Sequence, residues 1–324
     1  MSVLVFAENW NGAFKKSTYE AIAYSRAIAD QLNTNVVAIA VGKIETTGLS
    51  QLGNYGADKV LYLAQEDLGG FAAQTLTHLM AEVATKEQAS TIVFSYTYTG
   101  KSLAGRVAAK LKAGLVAGAT ELPTAVQPLT IRKKCYSGKG IATVTVNSEK
   151  AVIGLTPNSY KIDSRTFEAP VENIAAVSVS NSEVKLSSTV KTEGKIILTE
   201  AELVVSAGRG LKAPENWTMV ETLAKELQAA TACSKPVADI GCRPHEEHVG
   251  QTGITIGPNL YIAIGISGAI QHLAGVSSSK TIVVINSDAE APFFKAADYG
   301  VVGDAFEVVP QLIASLQKFK AAHN

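Results

Sequence analysis

The stretch Val204-Val205-Ser206-Ala207-Gly208-Arg209-Gly210-Leu211-Lys212-Ala213-Pro214-Glu215 decides the fold of this chain. A short run of small and β-branched residues passes directly into a G-x-G-x-x-A turn, and Pro214 and Glu215 follow where a helix would take its first turn. Strand, glycine turn and helix together open a parallel α/β unit whose backbone N–H groups and helix dipole face an anion. Taken alone, the turn also fits a tight connection that holds no ligand. The residues downstream discriminate. A nicotinamide site needs Asp or Glu at the end of the next strand, about 20 residues on, to bind a ribose hydroxyl. Here that region reads Ala232-Cys233-Ser234-Lys235, which argues against an ordinary NAD site.

Further along, a strand predicted over 260–264 runs into Gly265-Ile266-Ser267-Gly268-Ala269-Ile270-Gln271-His272, a second small-residue turn that leads into a helix. Two more predicted strand ends carry Asn286 and Gly303-Asp304, so glycines, amides and an acid gather at the carboxyl ends of several strands, where open sheets bind ligands. The loop Val249-Gly250-Gln251-Thr252-Gly253 adds an amide and a hydroxyl on a flexible backbone. Strands are expected at 203–207, 260–264 and 281–285, and helices at 214–228, 268–274 and 309–321.

The first half has the same rhythm. Apolar runs at 3–7, 36–41, 59–63 and 91–95 alternate with helical-period segments at 17–32, 71–85 and 102–112, which predicts a parallel sheet covered by helices. Strands expected at 130–135, 141–147 and 151–155, broken by Ser137-Gly138-Lys139-Gly140 and Pro157-Asn158, read as an antiparallel extension. A polar tract over 180–194 marks the linker. The fold expected is α/β in two domains: a parallel-sheet α/β domain with an antiparallel extension over 1–187, and a Rossmann-like nucleotide-binding domain over 188–324.

Composition is consistent with this. The 324 residues are 47% apolar and 18% charged, as in ordinary globular chains, and the length suits two cores. Lys plus Arg and Asp plus Glu both total 29, so no net field recruits nucleic acid or an anionic membrane. The three cysteines, Cys135, Cys233 and Cys242, are too few and too scattered for a disulfide framework and suit a reducing compartment. With no basic leader after Met1 and no apolar stretch of about 18 to 20 residues, a soluble cytoplasmic protein of bacterial type is expected.

Four ordered blocks resemble the α subunit of electron transfer flavoproteins, the family that includes the FixB proteins. They are residues 206–212, 249–253, 260–275 and 297–304, while residues 2–180 match more loosely, in segments such as Gly56-Ala57-Asp58-Lys59-Val60. The resemblance implies a C-terminal FAD-binding domain, an N-terminal domain that makes subunit and partner contacts, and an electron carrier in place of an enzyme. It implies a heterodimer with a β subunit that holds AMP, electrons arriving from acyl-CoA dehydrogenases, and electrons leaving to an electron transfer flavoprotein-quinone oxidoreductase. Arg209 then meets the pyrophosphate or the nearby ring, and Ser234 and Lys235 follow the second strand. Val249, Gly250, Gln251 and Thr252 wrap the isoalloxazine, with Thr252 a donor near N5. Ser267, Gly268, Ala269, Ile270 and Gln271 form the phosphate-side turn, and His272 approaches the flavin O2. Asn286, Asp304 and Ala305 serve the adenosine end. One position departs from the pattern: Lys235 stands where many members have arginine, and a mobile point charge replaces a planar guanidinium able to stack on the ring.

Rival readings are a nicotinamide-dependent dehydrogenase, which lacks its ribose acid and an acid/base pair, and a ligand-free interaction module, which would have no need of the backbone-contact glycines. Ser95-Tyr96-Thr97-Tyr98-Thr99-Gly100-Lys101-Ser102 imitates a phosphate loop but begins with Ser95 in place of glycine. Cys233, Cys242, His245 and His248 lack the spacing of a zinc site, and no metal is expected.

Overall fold

A computed structural model describes residues 1–65, 72–136, 140–175 and 196–323. The chain divides into two compact units, Met1–Cys135 with Lys139–Lys191, and Tyr136–Gly138 with Thr192–Asn324. The 180–194 tract expected as the linker lies outside the described residues, as does the 187/188 boundary.

The first unit contains β1 (Ser2–Phe6), α1 (Lys16–Leu32), β2 (Asn35–Val41), β3 (Lys59–Leu63), α2 (Ala72–Lys86), β4 (Ala89–Ser95), α3 (Tyr98–Leu111), β5 (Gly114–Ala119), β6 (Leu129–Cys135), β7 (Gly140–Val146), β8 (Ala151–Leu155) and β9 (Val171–Asn173). Among the described residues seven of these strands make one parallel sheet in the order β9-β3-β2-β1-β4-β8-β5. Every residue of β1 is buried, as a central parallel strand covered on both faces requires. Val3 and Val5 pack on one side with Ile22 and Ile28 of α1, and Leu4 and Phe6 pack on the other with Met80 of α2 and Leu103 of α3.

The antiparallel extension is smaller than expected. Strands β6 and β7 pair antiparallel from Leu129↔Val146 to Cys135↔Gly140, whereas β8 lies parallel between β4 and β5. The five residues of β8 are all buried, an unbroken apolar run that belongs in a sheet covered on both faces. Its neighbour β5 was not expected because Gly114 and Gly118 weaken its strand signal.

In this sheet the chain leaves β1 toward β2 and later crosses to β4, so the strand order reverses between β1 and β4. Side chains fill the carboxyl ends there. Thr97 Oγ1 accepts from Gly100 N at 3.1 Å, capping α3, and donates to Glu8 Oε2 at 2.6 Å, while Thr18 donates to the Glu8 carbonyl. The segment that imitates a phosphate loop therefore starts a helix whose N-terminus already holds a hydroxyl and a carboxylate.

The second unit contains β10 (Leu203–Ala207), α4 (Thr218–Leu227), β11 (Ala230–Cys233), α5 (Lys235–Asp239), β12 (Leu260–Ile264), α6 (Ile270–Val276), β13 (Thr281–Asn286), β14 (Tyr299–Val302) and α7 (Ala305–His323). The five strands are parallel, in the order β11-β10-β12-β13-β14, which is the doubly wound 2-1-3-4-5 pattern with its reversal between β10 and β12. Val205, Ala207, Ile262 and Ile264 face α4 and α7, whereas Val204, Tyr261 and Ala263 face the layer that holds Phe293 and Val276. Helix α7 starts four residues before the expected 309, because Asp304 Oδ1 accepts from Phe306 N at 2.9 Å and caps it upstream of Pro310.

Candidate functional site

The two glycine turns meet at the reversal of the second sheet. Gly208 N donates to Ile264 O at 2.9 Å and Gly210 N to Gly265 O at 3.1 Å, so the first turn continues the ladder of β12. A Cβ on Gly208 would stand 2.4 Å from the Gly265 carbonyl oxygen, and one on Gly210 would stand 2.7 Å from Gly265 Cα. Gly265 itself has φ +59. Backbone thus packs on backbone where side chains would otherwise close the strand ends, which is the structural use of glycine here.

The result is a cleft of about 590 Å³, well inside the range of cofactor pockets. Of the residues expected at the site, Arg209, Ser234, Lys235, Val249, Gly250, Gln251, Thr252, Ser267, Ala269, Gln271, His272 and Asn286 line it. Gly268, Ile270, Asp304 and Ala305 do not. Gly268, at φ +83, turns the chain against Phe293, and Ile270 is exposed at the start of α6. Asp304 Oδ1 caps α7, beside Ala305, and β14 lies two strands from the reversal. Sequence reasoning missed Pro236, His248, Ile266 and Asp288, which also line the cleft. His248 was signalled by its place directly before the 249–253 block. Asp288 follows Asn286 by two residues, and its N–H donates to Asn286 Oδ1 at 3.0 Å.

Each wall is fixed by the backbone. Ser234 N donates to Ala207 O at 3.1 Å, and Val249 N to Cys233 O at 3.0 Å, which bring the end of β11 and the 248–254 loop beside Gly208. Gln251 N reaches Gln271 O at 2.7 Å, and Gly275 in α6 lies so near Gly250 that a Cβ would fall 2.5 Å from its nitrogen. Asn286 Nδ2 donates to Ile266 O at 3.0 Å and holds the second turn. Behind the loop, Arg243 binds Glu247 at 2.7 and 2.8 Å and Glu221 at 2.6 Å, and lies 4.8 Å over the Trp217 ring.

The charged lining consists of Arg209 and Lys235, both exposed, with Asp288 as the acid. His272 is buried, and its Nε2 lies 2.8 Å from the Tyr261 hydroxyl. Burial first, and then neighbouring His248, push its pKa down to about 4, with the Val249 backbone opposing, so the imidazole is neutral at neutral pH. Burial also lowers the His248 pKa. Burial pushes the Cys233 thiol up to about 12, with the Glu247 carboxylate adding to the shift, so this cysteine stays protonated beside the cleft. Strand β11 ends at Cys233 and is followed by Ser234, with no acid in the position a ribose-binding nicotinamide site requires. Among the described residues no group of three or more His, Cys, Asp or Glu side chains is arranged to hold a metal ion, and no helix is long and apolar enough to cross a membrane.

The sequence that builds this site has counterparts in known proteins. Residues 3–179 match the electron transfer flavoprotein domain, and residues 197–277 match the electron transfer flavoprotein FAD-binding domain. The second match contains every cleft residue except Asn286 and Asp288. The chain is 35% identical to the electron transfer flavoprotein subunit alpha of Syntrophomonas wolfei, over 97% of this chain and 98% of that one. It is 36% identical to the corresponding subunit of Bacillus subtilis, over 96% and 95%. With protein FixB of Clostridium saccharobutylicum it shares 33% identity, over 99% and 97%.

Proposed function

The chain belongs to the electron transfer flavoprotein α-subunit family, with an FAD-binding domain in its C-terminal half, and on that premise we propose that it is an electron carrier whose flavin occupies the cleft at the β10/β12 reversal. The observation that carries this reading is the interlock of Gly208 and Gly210 with Gly265. It clears the strand ends for a dinucleotide at the point where doubly wound sheets bind one.

The donor set fits FAD. The Gly208–Gly210 turn and the Ser267–Ala269 turn offer backbone N–H groups, and Arg209 offers a cation, to a pyrophosphate. Ser234, Gln251, Thr252 and His272 offer neutral hydrogen-bond partners to the polar edge of a ring, and Lys235 adds a mobile charge. When bound, the flavin supplies one-electron and two-electron chemistry, and the protein supplies orientation and electrostatics. No side chain here needs to abstract a proton from a substrate, so the role is carriage of electrons and not turnover of a metabolite. Asp304 and Ala305, at the adjoining strand end, are reserved for the adenosine end of the cofactor.

Membership in the family supports the remaining assignments of this reading. The chain pairs with a β subunit that holds AMP. Its N-terminal unit, through about residue 187, makes the subunit and partner contacts. Electrons arrive from acyl-CoA dehydrogenases and related flavoproteins and leave to a membrane quinone oxidoreductase, in the cytoplasm of a bacterial cell. Anaerobic mixing tests this. The heterodimer, co-expressed with its β subunit, should show flavin bands near about 380 and 450 nm. The longer-wavelength band should bleach when an acyl-CoA dehydrogenase and its substrate are added. A coloured protein that ignores the dehydrogenase and is reduced by NADH would refute the donor assignment.

A further inference from the structure

We infer that His248 is a proton-exchanging residue of the flavin site: its imidazole meets the bound cofactor through Nε2 and takes up a proton from solvent when the ring accepts an electron, so that pH tunes the potential. This rests on the FAD reading above and deepens it, by adding a proton to the electron that the site stores.

His248 is a polar ring that the protein encloses but does not bind. Only 7% of its surface is exposed, and it lines the cleft. Its main chain is committed: the residue pairs with Cys233 across a parallel bridge, and its carbonyl accepts from Ile254 N at 2.9 Å. Its side chain is not. Among the described residues neither ring nitrogen makes a hydrogen bond of standard geometry, and both retain accessible surface. A nearly buried imidazole with two open nitrogens is built to meet what enters the cleft.

Two glycines keep those nitrogens open. A Cβ on Gly253 would stand 2.3 Å from the His248 carbonyl oxygen and 2.8 Å from Nδ1, and one on Gly250 would stand 3.4 Å from Nε2. The 250–253 turn therefore folds against the imidazole with no side chain at either glycine to cover the nitrogen beside it. Gly250 lines the cleft and Gly253 does not, which makes Nε2 the atom on the cleft side. The same Cβ on Gly250 would lie 3.7 Å from His272 Cα, so His248 stands next to the residues that face the flavin ring in this reading.

Electrostatics leave this nitrogen free to take a proton. Burial holds the His248 pKa below its ordinary 6.5, so beside an oxidised cofactor the ring is neutral at neutral pH. The titratable and charged groups around it are Asp239 and Lys235 on α5, His245 in its own segment and His272 on α6. Asp239 favours the protonated ring and Lys235 and His245 oppose it, while His272, with its pKa pushed down to about 4, is neutral. Cys233, across the bridge, is a protonated thiol, and Glu247 is bound to Arg243. An electron that enters the flavin adds a negative charge to the cleft, and an opposite charge nearby raises the pKa of an imidazole. One electron then arrives from the reductant and one proton from solvent binds Nε2. No bond of the cofactor forms or breaks, and the cleft gains no net charge.

Two measurements on the FAD-loaded heterodimer test the proposal. In ¹⁵N-histidine titrations, with the His248 signals identified by their loss in His248→Gln, the His248 pKa should rise by about one unit or more when dithionite reduces the flavin. An unchanged pKa overturns the inference whether or not the variant holds flavin. In redox titrations of the first electron, the parent's preference for the reduced ring should fall about tenfold per pH unit between those two pKa values, equivalent to about 59 mV. His248→Gln should be flat over the same interval, and His272→Gln should keep the parent's slope. A flat parent, equal slopes in the parent and His248→Gln, or a slope lost only in His272→Gln would place the proton elsewhere and overturn the proposal. A heterodimer that purifies without flavin would instead overturn the reading on which it rests.

Discussion

The two units end their central strands in opposite ways. Both are parallel sheets with a reversal of strand order, β1/β4 in the first and β10/β12 in the second, and each reversal places a crevice at the carboxyl ends. In the first unit Thr97 donates to the Glu8 carboxylate and Thr18 to the Glu8 backbone carbonyl, and an anion there would face a carboxylate. In the second unit the corresponding place is cleared by glycines that pack backbone on backbone, and Arg209 and Lys235 stand at its rim. The same architecture therefore leaves an open cleft at one reversal and a hydrogen-bonded joint at the other, and the difference lies in a handful of residues at the strand ends.

The largest expected effects come from matched glycine substitutions. Gly208→Ala puts a Cβ 2.4 Å from Gly265 O, and Gly100→Ala puts one 1.8 Å from Ser95 O. Each should destabilise its own unit by about 3 kcal/mol, as overpacking against backbone does. Hydrogen exchange resolved by peptide would locate the damage. Only Gly208→Ala should also weaken FAD binding, by about 100-fold or more, equivalent to about 2.7 kcal/mol. Equal flavin loss in both would erase the distinction between the units.

The His272 pKa gives an effect of similar size confined to acid pH. Its folded value is about 4 against 6.5 when exposed, so below pH 6.5 the unfolded chain takes up a proton that the folded chain refuses. Stability should be flat in this respect above 6.5, fall by roughly 3 kcal/mol between 6.5 and 4, and level off below. Denaturant titrations of the parent heterodimer and of His272→Gln across that window would isolate the contribution. A slope that survives the substitution would assign it to another group.

Arg243→Ala is expected to cost about 2 kcal/mol, because it leaves the buried Glu247 carboxylate without its bidentate partner. It should also speed flavin release, since the 248–254 loop loses its support. The smallest effect belongs to the filled crevice: Glu8→Gln replaces a charged acceptor with a neutral one and should cost about 1 kcal/mol with no change in flavin content.

Much of this was legible in the sequence because glycine turns after apolar runs have few structural uses. The segments around Gly208 and Gly265 fixed the parallel order and the position of the cleft, and the 249–253 block fell on its wall. What escaped depends on where a chain goes after an element ends. Strand β8 follows a hairpin, so nearness in sequence suggested an antiparallel partner, although its unbroken apolar run belongs between β4 and β5. Asp304, expected at the adenosine end because it ends a strand, lies outside the cleft lining, and its Oδ1 caps α7, a local use that only the fold shows. His248 stood in the sequence only among Cys233, Cys242 and His245, a group without zinc-site spacing, and the backbone bond from Val249 to Cys233 brings it beside the second strand. The bond between Tyr261 and His272 joins two residues of one recognised block, yet only the fold shows that the tyrosine hydroxyl points at the imidazole.

The most direct test of where the flavin sits is the FAD content of purified heterodimers carrying Gly208→Ala or Glu8→Gln, measured beside the parent. One FAD per heterodimer in the parent and in Glu8→Gln, with little or none in Gly208→Ala, is the expected result. Flavin retained in Gly208→Ala, or lost in Glu8→Gln, would contradict the assignment of the cofactor to the glycine-cleared crevice of the second unit.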